Sequence, residues 1–192
     1  MKRGKLFFMA AGVFALSLVF LSGCGKTDSA KEEAPQYENA LEVLNTVVKA
    51  YEQEDLFAMY GGNQENAVMD EPGKFDISKT DELVHTLGLP KEQAAEIDDA
   101  ASMVHMMNTN TFTGAAYHLK DEKKKEEFAE AVKSNLLANQ WVCGQPDTVL
   151  ILDVGGGYVI TAYGQAEIMK LFLTNATNAL SGATVLVEAP IG

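Results

Sequence analysis

The chain is short of arginine, of cysteine and of catalytic signatures. Arg3 is its only arginine in 192 residues. Beyond that position it lacks the planar fork of donors that grips phosphate and carboxylate bidentately. Its 15 Lys+Arg face 27 Asp+Glu, a formal charge of −12. Nucleic-acid binding needs clustered cations to displace phosphate counterions, so this balance speaks against it. Two cysteines, Cys24 and Cys143, are too few for a disulfide scaffold. No G-x-S-x-G elbow, no H-E-x-x-H and no alternating acidic calcium loop occurs. Triads assembled from His85, His105 or His118 and distant serines stay open. Apolar residues make up 47% of the chain, enough to bury a core, and the length suits one ordinary domain.

The one long apolar run is N-terminal. Lys2, Arg3 and Lys5 form a charged start, and Leu6 to Leu21 is apolar. That run is shorter than the roughly 20 residues of a membrane-spanning helix and reads as an export signal. It ends in Leu21-Ser22-Gly23-Cys24. This resembles the lipobox of bacterial lipoproteins. The resemblance implies a diacylglyceryl group on the Cys24 thiol, cleavage after Gly23, and a new N-terminus open to acylation by palmitate or another fatty acid. Two or more buried acyl chains anchor stably, at about 0.8 kcal/mol per CH₂. The expected place is the extracytoplasmic face of the cell membrane. Gly25, not Asp, follows the cysteine, so the inner-membrane retention signal of some Gram-negative lipoproteins is absent. A Gram-positive surface and a periplasm both stay open. Cleavage removes three cations and no acid, so the mature charge falls to −15 and no arginine is left. Cys143 is then the lone unmodified thiol. It reads as a small buried hydrophobe, with a reactive thiol or an intermolecular disulfide as the other readings.

The organisation reads as a signal peptide over 1–23, lipidated Cys24 and a polar tether over 24–35, a helical and loop segment over 36–100, and a sandwich domain over 101–192. Tyr37 to Gln53 is an amphipathic helix, with Tyr37, Leu41, Leu44, Val48 and Tyr51 on one stripe. Glu54 to Lys79 reads as loops. Asp81 to Leu87 is a short helix closed by Gly88, and Pro90 opens another reaching Ile97. Ser102 to Asn108 and Thr111 to Leu119 are strands joined by a polar turn. Asp121 caps a helix to about Asn139. Thr148 to Val154 and Tyr158 to Tyr163 are strands turned by Gly155-Gly156-Gly157. A helix runs from Gln165 to Leu180, with Gly182 as its stop, and Ala183 to Glu188 is a short final strand. The expected fold is α+β: a two-layer sandwich in which two strand-strand-helix units form a four-stranded antiparallel sheet with both helices on one face. The N-terminal helix is added to its edge or exposed face.

This organisation resembles a family of small, uncharacterised bacterial lipoproteins with a domain of unknown function. The resemblance rests on the lipobox, the Lys- and Glu-rich helix from Asp121, the strand after Pro146, and Gly157-Tyr158-Val159 opening the next strand. It spans roughly residues 102 to 180. It implies location and architecture and brings no catalytic residue.

Four stretches invite chemistry. On a strand, Met103, His105 and Met107 project to one face, and two thioethers with one imidazole form a soft donor set suited to Cu(I). Gly155-Gly156-Gly157 is followed by a strand, whereas a phosphate loop feeds a helix N-terminus, so it reads as a hairpin turn. The acids from Glu54 to Glu82 read as a solvated surface. Lys120, Lys123, Lys124 and Lys125 lie among glutamates and read as a self-compensated face, with a headgroup or acidic-partner contact as the other reading.

Three functional readings follow. One is a lipid-anchored extracytoplasmic module that binds an envelope protein or a small ligand, without catalysis, cofactor or nucleic acid. The second is a soft-metal carrier centred on Met103, His105 and Met107. The third is an enzyme whose site is assembled from distant residues.

Overall fold

The computed structural model describes residues 37–107, 109–142 and 144–192. The signal peptide, Cys24, the tether, Cys143 and the centre of the Asn108 turn lie outside the described residues. Among the described residues no helix is long and apolar enough to cross a membrane.

The first helix, α1 (Ala40–Val48), is shorter than its apolar stripe. Asn39 caps it, its Oδ1 accepting the Glu42 N–H at 2.9 Å. Ala40, Val43, Leu44 and Val47 are buried. The stretch expected as loops contains three short strands, β1 (Met59–Gly61), β2 (Val68–Met69) and β3 (Gly73–Lys74). They are two or three residues long, too short for alternation to register. Gly61 and Gly73 let β1 and β3 touch: a Cβ on Gly61 would lie 1.9 Å from the Gly73 nitrogen. Helix α2 (Thr80–Leu87) ends on Gly88 at φ 68°, as its sequence implies. The segment after Pro90 is a 3₁₀ turn over Lys91–Ala95. Ile97 then opens β4 (Ile97–His105), which starts five residues before the expected strand. The acids Asp98 and Asp99 hid that start.

The rest follows the expected order: β5 (Phe112–Leu119), α3 (Lys125–Ala138), β6 (Thr148–Gly155), β7 (Tyr158–Gly164), α4 (Ala166–Ala179) and β8 (Thr184–Pro190). The eight strands among the described residues join one antiparallel sheet in the order β2-β1-β4-β5-β7-β6-β8, with β3 also on β4. The fold is α+β, but the four-stranded sheet is corrected to eight strands. The 100/101 boundary falls inside β4.

The two-layer arrangement is also corrected. Along β6, Leu150, Leu152 and Val154 pack with α1 and α4, while Val149 and Ile151 pack with α3. Each side of the sheet therefore has its own core. Met169 and Phe172 of α4 join Leu44 and Val47 of α1 on one face. Leu83 and Leu87 of α2 join Phe128, Val132 and Leu136 of α3 on the other. The cause is topological. Helix α3 carries the chain from β5 to β6 and α4 from β7 to β8, and each crossover skips one strand toward the β8 edge. Strands β5 and β7 run in opposite directions. Two crossovers of one hand, launched from opposed strands in the same lateral direction, must lie on opposite faces, and nearly all such crossovers are right-handed.

Candidate functional site

A cleft of about 380 Å³ opens at the end of the sheet where β4 and β7 finish and β5 begins. Its floor is one cross-strand row: Tyr60 of β1 faces Val104, Val104 faces Thr113, and Thr113 faces Tyr163. Residues paired across antiparallel strands share a face, so these four side chains line up under the α2 side. His85 and Thr86 of α2 supply one wall. Trp141 and Gly144, from the segment after α3, supply another. Met107 and Thr111 border it where β4 passes to β5.

Hydrogen bonds fasten these walls. The Tyr163 hydroxyl donates to the Thr86 carbonyl at 3.0 Å. The Thr111 hydroxyl donates to the Gly144 carbonyl at 2.9 Å. The Trp141 ring lies against Tyr163, centroids 5.3 Å apart at 45°. The Trp141 Nε1–H is buried and has no partner. Burial pushes the Tyr60 hydroxyl up, and does the same to Tyr163 against the opposing Thr113 hydrogen bond.

Among the described residues, none of the twelve that line the cleft is Asp, Glu, Lys or Arg. That is notable in a chain with a formal charge of −12. The lining is rings, hydroxyls and imidazole, in the size range of small-molecule sites, roughly 300–1,000 Å³.

The Met103, His105 and Met107 trio is only partly assembled. Met103 is 0% exposed, beside Phe112 and Gly114 in the α1/α4 core. His105 shares that face and stacks on Phe57, centroids 4.9 Å apart and 9° from parallel. The strand stops at His105. Met107 is 56% exposed, and its N–H donates to His105 Nδ1 at 2.9 Å. A ring that accepts at Nδ1 is neutral with its proton on Nε2. Burial also holds the His105 pKa below the ordinary histidine value. His105 and Met107 border the cleft; Met103 does not. Among the described residues, no group of three or more His, Cys, Asp or Glu could hold a metal ion.

Compared with known proteins, the chain matches no family model, no curated protein and no solved structure.

The other chemical stretches are tied into the structure. Lys124 pairs with Glu96 at 2.8 Å, and Lys125 pairs with Asp153. The Lys120 ammonium donates to the Ala95 carbonyl at 2.7 Å. The triple glycine turns the β6–β7 hairpin, and Asp153 Oδ1 accepts the Gly155 N–H at 2.9 Å. In the acidic stretch, Glu65 pairs with Lys79 at 3.2 Å. Glu82 accepts the Gln64 N–H at 3.0 Å. A hydrogen bond from Ser78 holds the exposed Asp76 carboxyl below its ordinary value.

The cleft residues missed in the sequence are Tyr60, Thr113, Trp141 and Tyr163, and His85 was singled out only as a triad candidate. They come from separate segments, and no local spacing joins them. Trp141 alone carried a usable signal, as the only tryptophan in the chain.

Proposed function

We propose that the protein is a lipid-anchored, extracytoplasmic binding module of the bacterial cell envelope. It takes a small uncharged ligand into the cleft between β1, β5, β7 and α2. The observation that carries this reading is the cleft itself, with its rings and hydroxyls and no ionised side chain. No carboxylate stands there to serve as general acid, base or nucleophile.

The chain path supports the reading. Residue 37 lies at the opposite end of the sheet. Its carbonyl accepts the Tyr158 hydroxyl at 3.3 Å, and its ring meets Tyr158 edge-on at 6.0 Å. Asp99 Oδ2 accepts the Ala40 N–H at 2.7 Å nearby. The geometry favours this reading over a Cu(I) carrier built on Met103, His105 and Met107. Met103 is shut in the core, and His105 Nδ1 is already engaged.

Two measurements test the two halves. Expressed in a bacterium, the full chain should fractionate with membranes and incorporate labelled palmitate, and Cys24→Ala should do neither. A wild-type chain recovered unlabelled in the soluble fraction ends the anchoring half. Native mass spectrometry of the gently solubilised protein should show a neutral small-molecule adduct that Trp141→Ala loses. Turnover of any substrate at the cleft would replace binding with catalysis.

A further inference from the structure

We propose that the cleft ligand is a neutral saccharide, a mono- or disaccharide or the end of a glycan chain. This rests on the reading of the cleft as a binding site, and it follows from excluding other ligand chemistries.

Anionic ligands require a cation or converging N–H groups, and no lysine lines the cleft. Small amines require a carboxylate, and none lines it either. A quaternary ammonium needs no carboxylate but does need rings on several sides. Rings of Tyr60, Phe112, Trp141 and Tyr163 do line the cleft, but the ammonium head would give the Tyr60 hydroxyl and the His85 imidazole no hydrogen bond. A wholly apolar ligand would strip water from the Tyr60 hydroxyl and give nothing back, which is costly.

The remaining class has an apolar face for the rings and hydroxyls for the polar groups. A pyranose ring has both, and no charge. Its C–H face suits the Trp141 and Tyr163 wall. Its hydroxyls suit the Tyr60 hydroxyl and the His85 imidazole. The cleft volume equals roughly a dozen waters at about 30 Å³ each. That fits one or two sugar rings and not a long chain. Ordered waters on such walls are readily replaced by hydroxyls that reproduce their hydrogen bonds.

Trp141 makes the test direct, because the only indole of the chain lines the cleft. Full-length protein in mild detergent is titrated with glucose, with N-acetylglucosamine and with its β-1,4-linked disaccharide. Choline chloride and sodium gluconate serve as charged probes. A saturable change in Trp141 emission is expected with at least one neutral sugar. Tyr60→Phe, which keeps the ring, should weaken that sugar about threefold to tenfold, the effect of one hydrogen bond. Thr113→Val is a second shape-preserving variant with the same expectation. A response to the disaccharide alone would point to a glycan end, and a response to monosaccharides to a free sugar. A response to choline or gluconate and to no sugar overturns the saccharide assignment and leaves the binding module standing. Sugar binding untouched by both variants also overturns it, because the sugar then sits elsewhere. Silence to every probe, together with no adduct in native mass spectrometry, removes both proposals.

Discussion

The two ends of the sheet are built from opposite materials. At the end where β4 begins and the β6–β7 hairpin turns, charge is dense and satisfied. Asp98 meets His118 Nδ1 at 2.6 Å, Lys124 meets Glu96, Lys125 meets Asp153, and Tyr158 holds the Tyr37 carbonyl. At the cleft end no ionised side chain lines the opening, and a buried indole N–H has no partner. Polar groups that satisfy one another hold structure together. Polar groups left over around a cavity are where a ligand can gain. The lysine run and the triple glycine both invited chemistry in the sequence, yet they belong to the satisfied end.

The sharpest way to break this contrast is to remove the cleft floor and spare the other end. Gly61→Ala places a Cβ within 2.5 Å of backbone atoms in Gly73, Pro72 and Ser102. No side-chain rotation relieves a clash with backbone, so β1 and β3 must separate. The expected loss is about 4 kcal/mol or more, at the extreme of single substitutions, read by urea denaturation. Hydrogen exchange should show β1 and β3 opening while the β6–β7 hairpin stays protected. A loss below about 1 kcal/mol would mean the two strands are not held together as described.

The matching change at the charged end is Gly157→Ala. Gly157 has φ +84°, and an added Cβ would lie 2.9 Å from His118 Nε2. Left-handed strain in a non-glycine residue costs about 1–3 kcal/mol. Displacing the His118 ring also disturbs its pairing with Asp98. About 2 kcal/mol should be lost in thermal or urea melts, with the Trp141 emission response to ligand unchanged. A change in that response would couple the two ends.

Much of the fold was legible, for particular reasons. Thr148 to Val154 and Tyr158 to Tyr163 are rich in β-branched and aromatic residues and became β6 and β7. Gly88 and Gly182 sit past helix ends at positive φ, where glycine is favoured. Strands β1 to β3 were not legible, because two or three residues with glycine carry no periodicity. The placement of α3 and α4 on opposite faces was not legible either. Matching strand-strand-helix patterns suggest a shared face, whereas crossover handedness acting on opposed strands dictates two. The site was least legible. Tyr60 and Tyr163 are separated by more than a hundred residues and meet in one row only once β4 and β5 lie between them. Tyr163 by itself reads as an ordinary strand aromatic.

An unpartnered polar atom is not a binding site unless a cavity stands beside it, and Tyr117 provides the control. Its hydroxyl is fully buried against Phe128 and makes no hydrogen bond, although Thr161 lies beside it. It does not line the cleft. Removing a buried hydroxyl that has no partner removes only its desolvation cost. Tyr117→Phe should therefore stabilise the protein by about 1 kcal/mol and leave ligand binding alone. Trp141→Phe also deletes a partnerless donor but trims a ring that lines the cleft, and it should weaken binding. If Tyr117→Phe instead destabilises, the hydroxyl has Thr161 as its partner.

The smallest expected effect is on pH dependence, and it separates the cleft end from the carboxylates elsewhere. His105 is neutral in the fold, since its Nδ1 accepts the Met107 N–H and its ring is stacked on Phe57. Its folded pKa lies below the unfolded value of about 6.5. The unfolded chain therefore takes up a proton at a pH where the folded ring does not, and acid favours unfolding. The contribution of neutral His105 is complete above about 6.5 and is lost as pH falls through its lowered folded value. Asp76, whose folded carboxyl is held down by Ser78, acts in a more acidic window, below its ordinary value of 3.8. Urea midpoints measured across these ranges should fall in two steps. His105→Phe keeps a ring for Phe57 and should flatten only the upper step. An unchanged upper step would remove His105 from the account of how the cleft end is held.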